Sequence, residues 1–187
     1  MPSYALGELR PVVDPTAFVH PDAVLIGDVT VGAGCYVGPV ASLRGDFGTI
    51  VVEAGANIQD GCVLHSFPEQ RVIVEADGHI GHGAVLHGCT IRRGALVGIH
   101  AVVMDGAEVA EQAFVAACAF VPAGMKVPPR TLVAGIPARV VRELPEADLA
   151  RKHDGTLAYQ ALAARCRATL VEVEPLRAPD PARRRTR

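Results

Sequence analysis

Three histidines are spaced so that together they could bind a metal ion. His65 and His87 occupy the same place in a repeated pattern, and His82 stands at a different place in that pattern. Three imidazoles with an open fourth position form the kind of zinc site that activates a water molecule. We therefore interpret His65, His82 and His87 as metal ligands. A lone histidine in a turn is usually solvated, so no role is assigned to His20, His79, His100 and His153.

The pattern that carries these histidines has a period of six residues. Aliphatic side chains recur every six residues from Ile91 to Val127, and alanine follows four residues after most of them. Similar series run over 13–43, 52–64 and 74–86. Six residues are three strand periods, with one large and one small inward side chain and a turn, which is typical of a parallel β-helix. Three such sides close a triangular coil of about 18 residues, and the blocks predict roughly six coils.

The register breaks at three places along the chain. Three extra residues precede Val52, four extra residues precede Val74, and one residue is missing before Ile91. Small inward positions are predicted to hold alanine or cysteine, as at Cys35 and Cys62, which we interpret as core fillers. The same register places Phe47 at a small inward position, where other coils hold mostly alanine.

Placed on this register, the histidines predict an oligomer. His65 and His87 each follow an inward leucine on the same side of the prism, one coil apart, so their backbones should be stacked near 4.8 Å. His82 lies on the neighbouring side and diverges from them, so one prism cannot bring all three to one ion. Three prisms around a threefold axis would join His65 and His87 of one subunit to His82 of the next. Closed cyclic symmetry is common in homo-oligomers, and we expect a homotrimer with the metal at its interfaces.

The amino-acid composition excludes or disfavours several classes of protein. The 187 residues carry a formal charge of −2 and are 50% hydrophobic, with only three tyrosines, five phenylalanines and no tryptophan. Abundant aliphatics exclude a disordered chain, and the lack of basic excess disfavours a nucleic-acid binder. No apolar run approaches the ~20 residues of a membrane span, and no signal peptide is evident. Five cysteines without a CxxC pair argue against disulfides or a thiolate zinc site, and a cytoplasmic location is expected.

Four segments follow from these patterns. Residues 1–12 form an N-terminal lead-in, 13–139 the β-helix, 140–175 a C-terminal helical segment, and 176–187 a basic flexible tail. Within the helical segment, Gly155 is expected to separate two helices. The second helix is predicted to bury one face, which carries Leu157, Leu162, Cys166 and Leu170.

The stretches ASLRGDFGTIVVEAGANIQDGCVLHS and HIGHGAVLHGCTIRRGALVGIHAVVMDGA resemble the gamma-class carbonic anhydrase superfamily. The resemblance implies a left-handed parallel β-helix and supports the same three metal ligands, with His82 donated across the interface. The expected metal is Zn²⁺, and three histidines also suit Fe²⁺ or Co²⁺. Phe47 stands where efficient carbonic anhydrases of this class carry a glutamate.

The resemblance also implies roles for five further residues. Arg44 and Asp60 would pair between subunits, with Asp46 nearby. Gln59 would hydrogen-bond the metal-bound water, and Asn57 would line the site. The alternative is a purely structural role, in which Arg44 and Asp60 hold the subunits of the trimer together and take no part in catalysis.

The segment GIPARVVRELPEADLARKHDGTLAYQALAARCRATLVEVEPL is similar to the C-terminal end of a narrower branch, which includes phenylacetate-degradation and carnitine-operon proteins. That branch implies a metal-dependent acyl-CoA thioesterase of aromatic-acid catabolism, in which water activated by the metal attacks the thioester. Three alternatives stay open. They are a gamma-class carbonic anhydrase, a CoA-dependent hexapeptide acyltransferase that uses one histidine as a general base, and a non-catalytic metal-binding scaffold.

Overall fold

The structure is a computed structural model in which residues 2–179 are described. Residues 180–187 of the predicted basic tail lie outside this range. The strands are β1 (Ser3–Tyr4), β2 (Val12–Val13), β3 (Phe18–Val19), β4 (Val24–Val31), β5 (Tyr36–Val37), β6 (Ser42–Val52), β7 (Asn57–Ile58), β8 (Val63–His65), β9 (Arg71–Val74), β10 (His79–Ile80), β11 (Val85–His87), β12 (Thr90–Ile91), β13 (Leu96–Val97), β14 (Val102–Val103), β15 (Glu108–Val109), β16 (Phe114–Val115), β17 (Phe120–Val121), β18 (Lys126–Val127), β19 (Thr131–Gly135) and β20 (Ala138–Glu143). A single helix among these residues, α1, spans Glu146–Thr169.

These strands stack in parallel on three faces, as the six-residue period predicts. The first face is β3-β5-β7-β10-β13-β16-β19, with β20 added in an antiparallel hairpin. The second face joins the N-terminal halves of β4 and β6 to β8, β11, β14 and β17. The third face joins their C-terminal halves to β9, β12, β15 and β18. Seven parallel strands on the first face make about seven turns, one more than the six predicted.

The core consists of the repeated inward side chains. Each aliphatic member of the six-residue series from Leu25 to Val127 is at most 1% exposed. Cys35 and Cys62 are fully buried fillers as predicted, and burial raises the pKa of each thiol to about 11. The inward placement of Phe47 is wrong, because its ring is 59% exposed. Ile50 fills that slot instead, since the extra residues in β6 shift the register.

The C-terminal segment differs from its prediction. It begins with strand β20, and α1 then runs through Gly155 without a break and ends at Thr169. Packing of α1 along the first face outweighs the cost of one helical glycine, about 1 kcal/mol. The predicted apolar face is confirmed at Leu162 and Cys166, which pack beside Phe18 and Tyr36, and is wrong at Leu157 and Leu170, which are each 47% exposed. The buried positions of α1 are Leu149, Lys152, Thr156 and Ala163.

The packed face of α1 is apolar at one end, where it lies on Phe18 and Tyr36, and more polar toward the other end. Gln160 of the helix donates hydrogen bonds to the Gly55 carbonyl at 3.1 Å and to Asp77 Oδ1 at 3.0 Å. Lys152 Nζ donates to the Asp77 carbonyl. No helix in the described part of the chain is both long and apolar enough to cross a membrane.

Candidate metal centre

Two of the predicted ligands form an imidazole pair, defined here as His65 and His87. Strands β8 and β11 pair in register with His65 opposite His87, which confirms that the two histidines are stacked. Their ring centroids are 5.3 Å apart, with 60° between the planes. Both side chains point outward because Leu64 and Leu86, the preceding residues, point into the core.

A carboxylate contacts each imidazole of this pair. Asp46 Oδ1 lies 2.9 Å from His65 Nε2, and Asp105 Oδ1 lies 2.7 Å from His87 Nδ1. Burial raises the pKa of Asp46, but the hydrogen bond to His65 and the charge of Arg44 outweigh it and hold that pKa below its usual value. A carboxylate on the far nitrogen of a ligating histidine fixes the tautomer and the ring orientation.

The third predicted ligand lies at the other edge of the second face. His82 is in the turn between β10 and β11, whereas the imidazole pair closes β8 and β11 at their C-terminal ends. His82 Nδ1 is 3.1 Å from Asp60 Oδ2, and both side chains are about two-fifths exposed, 42% and 44%. Within residues 2–179, no three His, Cys, Asp or Glu side chains are grouped so that they could hold a metal ion. One chain therefore supplies two neighbouring imidazoles at one corner and a third at another.

Arg44 contacts a residue of its own chain in this structure. Its Nη1 donates to Asp46 Oδ2 at 2.7 Å, and Asp60 is next to His82. The pairing of Arg44 with Asp60 between subunits stays a prediction. Within the chain, Arg44 orients the carboxylate that in turn holds His65.

Asn57 and Gln59 belong to a separate amide cluster, defined as Asn57, Gln59 and His79. The Gln59 amide nitrogen lies 2.9 Å from Asn57 Oδ1 and 2.7 Å from His79 Nε2, and Asn57 Nδ2 lies 3.2 Å from His79 Nδ1. Tyr159 of α1 closes the cluster, with its ring centroid 5.4 Å from that of His79. Burial, reinforced by the charges of Lys152 and His82, lowers the pKa of His79 to about 4. The chain by itself does not bring Asn57 and Gln59 to the imidazole pair.

Two residues of this region were missed by reasoning from the sequence. Asp105 could have been found, since it lies one coil beyond His87 at nearly the same register position. Nothing in the sequence distinguishes His79 from the other unassigned histidines, and only the structure shows that it is partly buried and contacts Asn57, Gln59 and Tyr159.

Exposed phenylalanine rings lie against both members of the imidazole pair. The Phe47 ring is 5.6 Å from His65 and the Phe67 ring is 4.8 Å from His87, measured between centroids. Beside His65 is a cavity of about 290 Å³ lined by Leu9, Asp28, Gly45, Asp46, Phe47, Gly48, Thr49, Glu69, Gln70 and Arg71. The histidine edge is therefore bordered by apolar rings and a polar cavity.

The donor chemistry of the three predicted ligands suits a divalent metal ion. Each of His65, His82 and His87 has a carboxylate partner on one ring nitrogen, at 2.9, 3.1 and 2.7 Å respectively. This arrangement leaves one ring nitrogen of each histidine for a metal ion, and neutral imidazoles held by carboxylates suit zinc.

Comparisons with known proteins show which family the chain belongs to. It is 55% identical to the carnitine operon protein CaiE of Escherichia coli K12 over 177 residues, covering 95% of this chain and 90% of that protein. It is 52% identical to CaiE of Proteus sp. over 187 residues, covering 100% of this chain and 95% of the other. The chain belongs to the CaiE family. No family model matches it.

CaiE proteins are gamma-carbonic-anhydrase-like hexapeptide-repeat proteins, and the solved structures agree with this assignment. A candidate acetyltransferase of Bacillus cereus superposes with a TM-score of 0.88 at 34% identity, covering 89% of this chain and 96% of that chain. A hexapeptide transferase family protein of Anaplasma phagocytophilum gives 0.85 at 33% identity, covering 90% and 98%. These neighbours are left-handed parallel β-helices, which confirms the predicted fold. The C-terminal segment resembles both phenylacetate-degradation and carnitine-operon proteins, and these CaiE relatives are carnitine-operon proteins.

Proposed function

We propose that this CaiE-family chain is a metal-dependent hydrolase of acyl-CoA thioesters that works as a homotrimer with shared active sites. One observation carries the proposal: two stacked imidazoles, each held by a carboxylate, end one edge of the second face, and a third carboxylate-held imidazole stands at its other edge. Around a threefold axis, the edge with His82 would face the imidazole pair of the next subunit. The metal would be Zn²⁺, with Fe²⁺ and Co²⁺ as alternatives.

The reaction adds water across the thioester. The carbonyl carbon gains a C–O bond and loses its C–S bond, so the products are a carboxylate, a proton and the free CoA thiol. A divalent metal held by three histidines supplies a water whose pKa is lowered to about 7 and polarises the carbonyl. Asp46 and Asp105 fix the rings of His65 and His87, and Arg44 fixes Asp46. The contact of Gln59 with this water stays a prediction, since within one chain its amide nitrogen is bonded to Asn57 and His79.

Phe47 favours thioester hydrolysis over hydration of CO₂. Fast CO₂ hydration releases a proton in every cycle and needs a nearby group that carries it to solvent. An exposed phenylalanine beside His65 cannot carry a proton, but it can contact an acyl group. We also propose that the acyl-CoA substrate comes from aromatic-acid catabolism, as the resemblance of the C-terminal segment implies.

The shared site is tested by subunit complementation. His82→Ala and His87→Ala are each expected to abolish hydrolysis and to lower bound metal measured by elemental analysis. When the two variants are co-expressed, about three quarters of randomly assembled trimers are mixed, and each mixed trimer regains one site, so about a quarter of wild-type activity should return. Co-expression of His65→Ala with His87→Ala is the control. Both changes damage the imidazole pair, so every subunit of a mixed trimer lacks an intact pair and no site is restored.

Absence of recovery in the first mixture, with mixed trimers verified by two affinity tags, would contradict a site shared between subunits. Metal dependence is tested separately by chelation and readdition of Zn²⁺. Equal hydrolysis rates before and after chelation would exclude the metal mechanism.

A CoA-dependent acyltransferase is the second candidate, because both structural neighbours carry transferase names. In that case the acyl group passes to an amine or hydroxyl acceptor, and a histidine acts as general base without metal. Acyl transfer that survives both chelation and His82→Ala would support this candidate over the hydrolase.

A further inference from the structure

All three interruptions of the six-residue period fall at one corner of the prism. Successive inward positions are nine residues apart from Leu43 to Val52, ten from Leu64 to Val74, and five from Leu86 to Ile91. Each of these steps connects the second face to the third. We call this corner, residues 44–51, 65–73 and 87–90, the interrupted corner.

The interrupted corner is also where the imidazole pair lies. The extra residues that follow Leu43 and Leu64 place Phe47 beside His65 and Phe67 beside His87. Both rings stay largely exposed, at 59% and 55%. The next coil has a shortened connection with Gly88 directly after His87, so it adds no third ring at this corner. The insertions therefore make two apolar walls at the proposed reacting centre.

Glycines allow the inserted segments to pack closely. A Cβ atom at Gly48 would lie 2.2 Å from the Gln70 carbonyl and 2.5 Å from Ser66 Oγ. A Cβ atom at Gly45 would lie 2.2 Å from the Asp28 carbonyl. Without a Cβ atom at these two positions, β6 can lie close to its neighbours, and both glycines line the cavity of about 290 Å³ beside Asp46 and Phe47.

We infer that the interrupted corner binds the acyl group of the thioester, and that Phe47 and Phe67 determine specificity for bulky or aromatic acyl groups over acetyl. The inference rests on the proposed function. Exposed rings gain free energy when an apolar group covers them, and offset or edge-to-face contacts favour a ring in the ligand. An acetyl group is too small to reach both rings at once.

The kinetic test compares kcat/KM for phenylacetyl-CoA and acetyl-CoA. The wild-type trimer should prefer the aryl substrate, and Phe47→Ala or Phe67→Ala should each reduce that preference about tenfold. Phe114→Ala is the matched control, because Phe114 is a partly exposed outward ring on the first face, away from this corner. An unchanged preference in both variants overturns the inference, as does dissociation of the trimer, since the rings would then be covered by a neighbouring subunit.

A binding test separates this inference from the hydrolase proposal. S-(2-phenylethyl)-CoA and S-ethyl-CoA are thioethers that cannot be hydrolysed, and calorimetry gives their affinities for the wild-type trimer and the same variants. A preference for the phenylethyl compound that Phe47→Ala and Phe67→Ala remove supports the acyl site even if no thioester is turned over. Equal affinities of the wild type for both thioethers overturn it, even if thioesters are hydrolysed.

Discussion

The imidazole pair and the amide cluster contain the same kind of side chain in opposite environments. His65 and His87 are held by carboxylates at the interrupted corner, with exposed phenylalanine rings beside them. His79 is held by two amides beneath α1, on the regular first face. A carboxylate increases the electron density of a ligating imidazole and fixes its orientation, whereas an amide only fixes its position.

This difference separates a site of chemistry from a site of support. Each imidazole of the pair has one ring nitrogen that its carboxylate partner does not contact. Burial lowers the pKa of His79 to about 4, so that ring stays neutral near pH 7. We expect changes at the pair to affect metal binding and turnover, and changes at the amide cluster to affect folding stability first.

The largest effect on metal binding and turnover is expected at the carboxylate that holds His87. Asp105→Asn removes a charge 2.7 Å from His87 Nδ1 and should lower both zinc affinity and kcat/KM by about 10- to 100-fold. Zinc competition with a chelating dye and thioester hydrolysis measure the two quantities. Asp22→Asn is the matched control, since Asp22 also faces a histidine, His20, at 3.7 Å in an exposed pair. Equal losses in both variants would show that Asp105 has no special role.

At the amide cluster, the expected effect is a pH-dependent loss of stability. The pKa of His79 is about 4 when folded, against 6.5 for an unperturbed histidine, so the unfolded chain binds a proton first as the pH falls. Stability from this group is complete above pH 6.5 and declines toward pH 4, by about 3 kcal/mol in all. The titratable groups facing His79 are Lys152 of α1 and His82, and positive charge on either one disfavours protonation of His79.

Urea unfolding of the chelated protein from pH 7.5 to 4.5, at one protein concentration, measures this decline. His79→Gln should flatten it, because a neutral side chain remains neutral over the whole range. His153→Gln, at an exposed position of α1, should leave the slope as in the wild type. A slope unchanged by His79→Gln would assign the pH dependence to other groups.

Most of the prism could be read from the sequence because its geometry repeats. A six-residue period fixes which side chains are inward, and those positions from Leu25 onward are buried as expected. Phe47 was misplaced because an insertion changes the register within β6, and a period has no rule for where extra residues go. The same logic located His65 and His87 correctly, since they follow inward leucines.

Helix α1, which covers the first face, was predicted less accurately than the prism. The predicted apolar face of α1 is confirmed at Leu162 and Cys166 and is wrong at Leu157 and Leu170. Part of the first face under the helix carries Asn57, Gln59 and His79, and apolar side chains are not favoured over those polar groups. A tertiary surface of this kind is invisible to periodicity within the helix. The glycine that suggested a break is tolerated for the same reason.

The smallest effect is expected at that glycine. A Cβ atom at Gly155 would meet only His79 Cε1, at 3.9 Å, which is ordinary van der Waals contact. Gly155→Ala should therefore stabilise α1 by up to about 1 kcal/mol, or raise Tm by roughly 2–4 °C, without changing turnover. Gly98→Ala is the opposite case on the regular prism, since its Cβ would lie 2.5 Å from the Ala117 nitrogen and should destabilise the fold. Thermal unfolding of both variants at equal concentration checks the pair. A lower Tm for Gly155→Ala would mean that the glycine is needed for the approach of α1 to His79, and that the amide cluster is more tightly coupled to the helix than its contacts indicate.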